Sequence, residues 1–154
     1  MSHIHEKIDF TVEVLIVYKN KVLLRKHDKY KMWLSVGGHI ELDEDPTEAA
    51  LREVKEEVGL DIELIDNRPF TENDTHFKER ELISPVGLNR NRISDTHEHV
   101  TFIYFARSNS DKVIPEKETD EWKWCDENDI DQLENIPKSI VYYAKRALKE
   151  LGTK

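Results

Sequence analysis

Apolar and polar positions along this chain follow two periods, and each period predicts its own elements. Residues 11–18 partly alternate and are rich in β-branched side chains, which predicts a strand. Lys19-Asn20 reads as a tight turn and residues 22–25 as the returning strand of a hairpin. Residues 33–36 form a short apolar run ahead of the Gly37-Gly38 pair. A helical period then takes over. Asp45 suits an N-cap, Pro46 the first helical position, and Glu48 completes an Asp-x-x-Glu capping box. Ala50, Val54 and Val58, with Leu51 beside them, predict a core-facing stripe on a helix over 46–58, closed by Gly59. Further strands are predicted at 62–65, 82–86, 100–106 and 121–125, within a long polar stretch at 67–95 and beyond it. A short helix is expected at 126–133. A final helix at 137–151 carries the stripe Ile140, Val141, Ala144, Leu148 and Leu151 and ends at Gly152. Helices and strands are interspersed, so the fold class is α/β (α+β) with a mixed sheet.

The chain has 154 residues, which suits one domain spanning 1–154, with residues 1–8 as a flexible leader. Apolar runs such as 14–18 and 140–144, five residues each, fall far short of the roughly 20 residues that span a bilayer. No basic stretch followed by an apolar run opens the chain, so no signal peptide is expected. Cys125 is the single cysteine, which fits a reducing cytoplasm and excludes both an intrachain disulfide and a multi-cysteine zinc site. Acids number 32 against 23 bases, a net charge of −9, which argues against nucleic acid or an anionic membrane as partner. That excess is concentrated. Residues 38–60 are net −6 and residues 115–134 net −7, leaving the rest of the chain net +4.

The first acidic segment carries the candidate chemistry. Glu53, Glu56 and Glu57 are spaced i, i+3, i+4 and project from one helix face. Like charges this close destabilise an isolated helix, and hard carboxylate oxygens on a rigid helix suit Mg²⁺ or Mn²⁺. Three acids alone would read first as a solvated acidic face.

The flanking residues change that reading. From Gly38, five residues lead to Glu44 and seven more to Arg52-Glu53-Val54. Lys55, Glu56-Glu57, Val58 and Gly59-Leu60 follow. This resembles the Nudix box, G-x5-E-x7-R-E-U-x-E-E-x-G-U with U aliphatic, at every fixed position. The resemblance implies a Nudix-type α/β/α sandwich, with a mixed sheet between helices. It implies a Mg²⁺-dependent hydrolase, with Mn²⁺ as substitute, cleaving a diphosphate linkage in a small-molecule nucleotide. Glu53 and Glu57 would be the main metal ligands, Glu56 a further one, and Gly38 would offer a backbone carbonyl. Glu44 and Arg52 would tie the loop to the helix, and Gly59 would end it. The general base would be a box glutamate, here Glu53, or a downstream acid: Glu98, Glu118 or Glu121. Members of the family are often dimers, so a homodimer is carried as an expectation, although no segment specifies one.

Two departures concern the loop: Val36 stands where many relatives have proline, and Asp43 where they have glycine. Glu41 matches an acid common at its position and would add a ligand or stand solvated. Arg25, near the end of the second strand, sits where relatives place a basic residue to grip phosphate. His97 and His99 share one face of a strand start. With no third histidine or cysteine nearby in sequence, they read as a substrate contact or a polar edge rather than a zinc site. Trp33, Phe77 and Trp122 are expected in the core rather than stacked on a base. Residues 74–77 carry neither the proline that resembles ADP-ribose hydrolases nor the tyrosine that resembles dinucleoside polyphosphate hydrolases. By elimination the expected substrate is a (deoxy)nucleoside triphosphate or its oxidised form, cut to monophosphate and pyrophosphate. ADP-ribose and nucleotide sugars are the alternatives. A non-catalytic nucleotide sensor or an acidic interaction protein is the rival of another class. An isopentenyl diphosphate isomerase would need a cysteine in a context that Cys125 lacks.

Overall fold

The computed structural model describes residues 6–153. Its elements in chain order are β1 (Ile8–Tyr18), β2 (Lys21–Lys26), β3 (Trp33–Leu34), β4 (Val36–His39), α1 (Pro46–Val58), β5 (Ile62–Leu64), β6 (Gly87–Arg92), β7 (Glu98–Ser108), β8 (Trp122–Cys125), α2 (Glu127–Gln132) and α3 (Lys138–Leu151). The strands form one mixed sheet with the path β3-β2-β1-β7-β5. β4 also pairs with β1, β6 with β7 and β8 with β2. β1 and β7 run parallel in the centre, and every other pair is antiparallel.

The two faces of the central strands bury two cores. Val12, Val14, Ile16 and Tyr104 pack with Ala49, Ala50, Val54 and Val58 of α1. Leu15, Val17, Ile103 and Phe105 pack with Ile130 of α2 and with Ile140, Ala144, Ala147, Leu148 and Leu151 of α3. Alternate residues of a strand face opposite ways, so β1 serves both cores from one sequence. The result is helix, sheet, helix, the layering expected of the sandwich.

The structure corrects several expectations. Residues 1–5 of the expected leader lie outside the described residues, but Ile8 already belongs to β1 and the Lys7 carbonyl accepts the Glu98 N–H. Parallel pairing with β7 from Ile8 onward extends the strand past the polar Asp9 that masked its start. Leu51 is 45% exposed, and Ala49 takes the buried place beside Ala50. The strand expected at 82–86 is displaced to Gly87–Arg92, whose Asn-Arg-Asn-Arg run has no apolar alternation and is held by its ladder to β7. Phe77 is 74% exposed and Trp122 37% exposed, so neither is a core residue, whereas Trp33 packs against the α3-side core. Helix α1 runs over the residues its caps predicted, with Asp45 accepting the Thr47 and Glu48 N–H groups and Gly59 in the left-handed region at φ 67°.

Candidate active site

Strand β4 and helix α1 build the site between them. β4 pairs with β1 so that Gly38 stands opposite Val12, on the α1 side of the sheet. Added at Gly38, a Cβ would fall inside the Glu53 carboxylate. The chain therefore meets this acid backbone first, and only glycine permits that approach. Glu53 is 7% exposed. Burial pushes its carboxyl pKa up, and the hydrogen bond from Arg52 partly offsets this.

Arg52 organises the loop between β4 and α1. Its Nε and Nη2 donate to the two oxygens of Glu44 at 2.9 and 2.5 Å, a bidentate pair. Nη2 also donates to the His39 carbonyl at 2.9 Å, and Nη1 donates to Glu53 at 2.9 Å and Glu56 at 3.2 Å. The Glu44 Oε1 accepts the Glu41 N–H at 2.9 Å. This pairing holds the Glu44 carboxyl below its ordinary range and raises the Arg52 guanidinium above its own. The pair thus ties the loop to the helix. One guanidinium faces three glutamates, so the group keeps excess negative charge, which a divalent cation would neutralise. The donor set is hard oxygen throughout and fits Mg²⁺ or Mn²⁺.

Glu57 lies one turn beyond Glu53 and pairs with Arg25 of β2, which also reaches Asp120 at 3.4 Å. Sequence reasoning missed Asp120, whose side chain is only 4% exposed. Its signal was membership of the second acidic segment, where only glutamates were weighed. The expected downstream acids have their own surroundings. Glu98 is held by Arg90 at 2.6 and 2.9 Å, which keeps its carboxyl below the ordinary range. The Glu121 side chain is 63% exposed and pairs with Lys26 at 3.3 Å. Glu118 is exposed in the loop before β8. The 114–116 stretch is nonetheless fastened to the end of α1, since the Ile114 and Glu116 N–H groups bond to the Val58 and Glu57 carbonyls at 2.9 and 3.2 Å. Cys125 is buried in the α3-side core, its thiol pushed up to about 11 by burial, so it is no nucleophile here.

The family model for the NUDIX domain matches residues 9–145, and the chain belongs to that family. It is a member of the Nudix hydrolases. Among solved structures it is similar to a hydrolase of the NUDIX family from Clostridium perfringens, at 38% identity and a TM-score of 0.80, with 93% of this chain and 97% of that chain covered. A MutT protein from Methanosarcina mazei Go1 shares the fold at 19% identity and a TM-score of 0.68, over 96% of this chain and 97% of that one. Among curated proteins, the m7GpppN-mRNA hydrolase NUDT17 of Xenopus laevis is 42% identical over an alignment of 64 positions that covers 38% of this chain and 22% of that protein. Among the described residues, no helix is long and apolar enough to cross a membrane.

Proposed function

We propose that the protein cleaves the diphosphate linkage of a (deoxy)nucleoside triphosphate, or of its oxidised form, to monophosphate and pyrophosphate with Mg²⁺. The carrying observation is the set Glu53, Glu56 and Glu57 on one face of α1, with Glu53 pressed against the Gly38 backbone and Glu57 held by Arg25. In this reading Glu53, Glu56, Glu57 and the Gly38 carbonyl hold the ion. When bound, the ion supplies charge neutralisation on the phosphate oxygens and a more acidic water. Glu53 accepts the proton of the attacking water. Arg25, which Glu57 and Asp120 hold beside the box, presents a planar fork that would grip the leaving phosphate. Glu44 and Arg52 keep the loop in place and touch no substrate.

The test is a product-release assay with Mg²⁺ and Mn²⁺ over nucleoside triphosphates, their oxidised forms, ADP-ribose, nucleotide sugars and a capped dinucleotide, the last suggested by the name of the NUDT17 relative. Monophosphate and pyrophosphate from a triphosphate support the reading. Turnover confined to ADP-ribose or a nucleotide sugar would replace the substrate, and no turnover of any compound would favour the non-catalytic rival.

A further inference from the structure

On the face of the sheet opposite Glu53, the strand ends bring together one buried carboxylate and three imidazoles. Asp9 of β1 stands beside His99 of β7 in the parallel ladder, and Thr11 stands opposite His39 of β4. Alternation along the three strands turns Asp9, His39 and His99, with His97 just before β7, to the side on which α3 packs. Gly38, one residue before His39, faces α1 and the box. The two groups are thus separated by the thickness of β4.

The geometry of this cluster is compact. Asp9 is 2% exposed and His97 9%. A single oxygen, Asp9 Oδ2, lies 3.3 Å from His39 Nε2 and 3.2 Å from His97 Nε2. Ligand atoms of Asp9, His39 and His99 all fall within 4.8 Å of one another. The His39 and His99 rings meet edge-on with centroids 5.0 Å apart, and the His97 and His99 rings do the same at 5.1 Å. With metal–ligand bonds of about 2.0–2.1 Å, the edge of a coordination tetrahedron is about 3.3 Å. The Asp9–His39 distance matches that edge. Edge-on rings also allow several nitrogens to point at a common centre.

We infer that Asp9, His39 and His99, with His97 beside Asp9, form a transition-metal site of the Zn²⁺ class, distinct from the box. The premise that no third histidine lies near His97 and His99 fails because β4 folds back along β1 and delivers His39 from 58 positions away. Donor chemistry separates the two sites. Imidazole nitrogen with one carboxylate selects Zn²⁺ and its neighbours in the Irving–Williams order, whereas the all-oxygen box selects Mg²⁺ or Mn²⁺. Such an ion would clamp β1, β4 and β7 together. The His39 carbonyl already accepts from Arg52 at 2.9 Å, so the clamp would hold the strand that carries Gly38.

The experiment uses the full chain, stripped with chelator and titrated with Zn²⁺ alone, then with Co²⁺ alone as an absorbing reporter. It is run in a Glu53→Gln/Glu57→Gln background that disables the box, with His3→Gln/His5→Gln to remove the two early histidines as donors. One equivalent of Zn²⁺ should bind, resist excess Mg²⁺, and give the intense visible bands of four-coordinate Co²⁺. His99→Ala should weaken Zn²⁺ binding by more than about 100-fold, beyond the 10–100-fold typical of an outer-shell partner. Should that variant fail to fold, ¹⁵N-imidazole spectra of the unsubstituted cluster decide instead, with the His39 and His99 resonances shifting together on adding one equivalent of Zn²⁺. Absence of stoichiometric binding, binding that survives His99→Ala, or unmoved imidazole resonances would overturn the site and leave a hydrogen-bonded Asp–His cluster. Because the box is disabled throughout, none of these outcomes depends on the proposed hydrolysis.

Discussion

A methyl group at Gly38 would meet the Glu53 carboxylate, whereas one at Gly37 would meet the backbone carbonyl of Val12. The first obstacle is the end of a flexible side chain and moves aside. The second is a strand that must shift. Gly38→Ala should therefore fold with stability within about 1 kcal/mol of wild type, yet lose about 100-fold or more in turnover, because a misplacement of ~1 Å is that costly to catalysis. Gly37→Ala should lose about 1–3 kcal/mol of stability, as overpacking does. Urea unfolding beside steady-state kinetics separates the two, and equal stability losses would refute the assignment of Glu53 to the site. Cys125 offers a second check at this scale. Buried, with its thiol pushed up to about 11, it should resist a thiol reagent at pH 8 in the native chain and react once unfolded. Box residues were legible in the sequence because their spacing is local to one loop and one helix. Asp120 was not, because Arg25 and Asp120 meet only when β2 pairs with β8.

At the scale of elements, α1 was readable end to end because its caps are local chemistry: Asp45 accepts two N–H groups and Gly59 adopts positive φ. β6 was not readable, because a polar ribbon along β7 depends on its ladder rather than on its own pattern. The His cluster was half visible. Two members share a strand start, and the third arrives only through the pairing of β4 with β1. The tie between the loop and α1 yields a pH prediction. Arg52 depresses the folded-state pKa of Glu44, so the pair's contribution is complete above the unfolded value of about 4.3 and is lost as pH falls through the depressed folded value. Glu44→Gln should therefore cost about 1–3 kcal/mol at pH 7, with the gap to wild type narrowing as pH falls below about 4. Urea midpoints measured across that range check it, and a gap that widens on acidification would reverse the sign.

For the whole molecule, the net charge of −9 resolves into two acidic segments that the fold places side by side. Arg25 touches Glu57 of the first and Asp120 of the second, and the 114–116 stretch is fastened to the end of α1. Segments of net −6 and −7 thus share one border, bridged by Arg25. Mutual repulsion there opposes folding until cations gather. Glu53 adds to the strain in its own way. Burial raises its folded-state pKa, so its ionisation costs stability as pH rises past the unfolded value. Removing that charge should leave the metal-free protein as stable as wild type at pH 7, or more so, while abolishing turnover. A ligand that binds only the folded state stabilises it by about 2.7 kcal/mol at 100 times its Kd. Saturating Mg²⁺ should accordingly raise the unfolding midpoint of wild type by several degrees, and NaCl at matched ionic strength by less. In Glu53→Gln/Glu57→Gln the Mg²⁺ increment should shrink to the NaCl increment. Thermal unfolding of the four combinations is the measurement. If the double variant kept the full Mg²⁺ response, the ion would be acting on the second acidic segment, and the box glutamates would lose their claim to hold it.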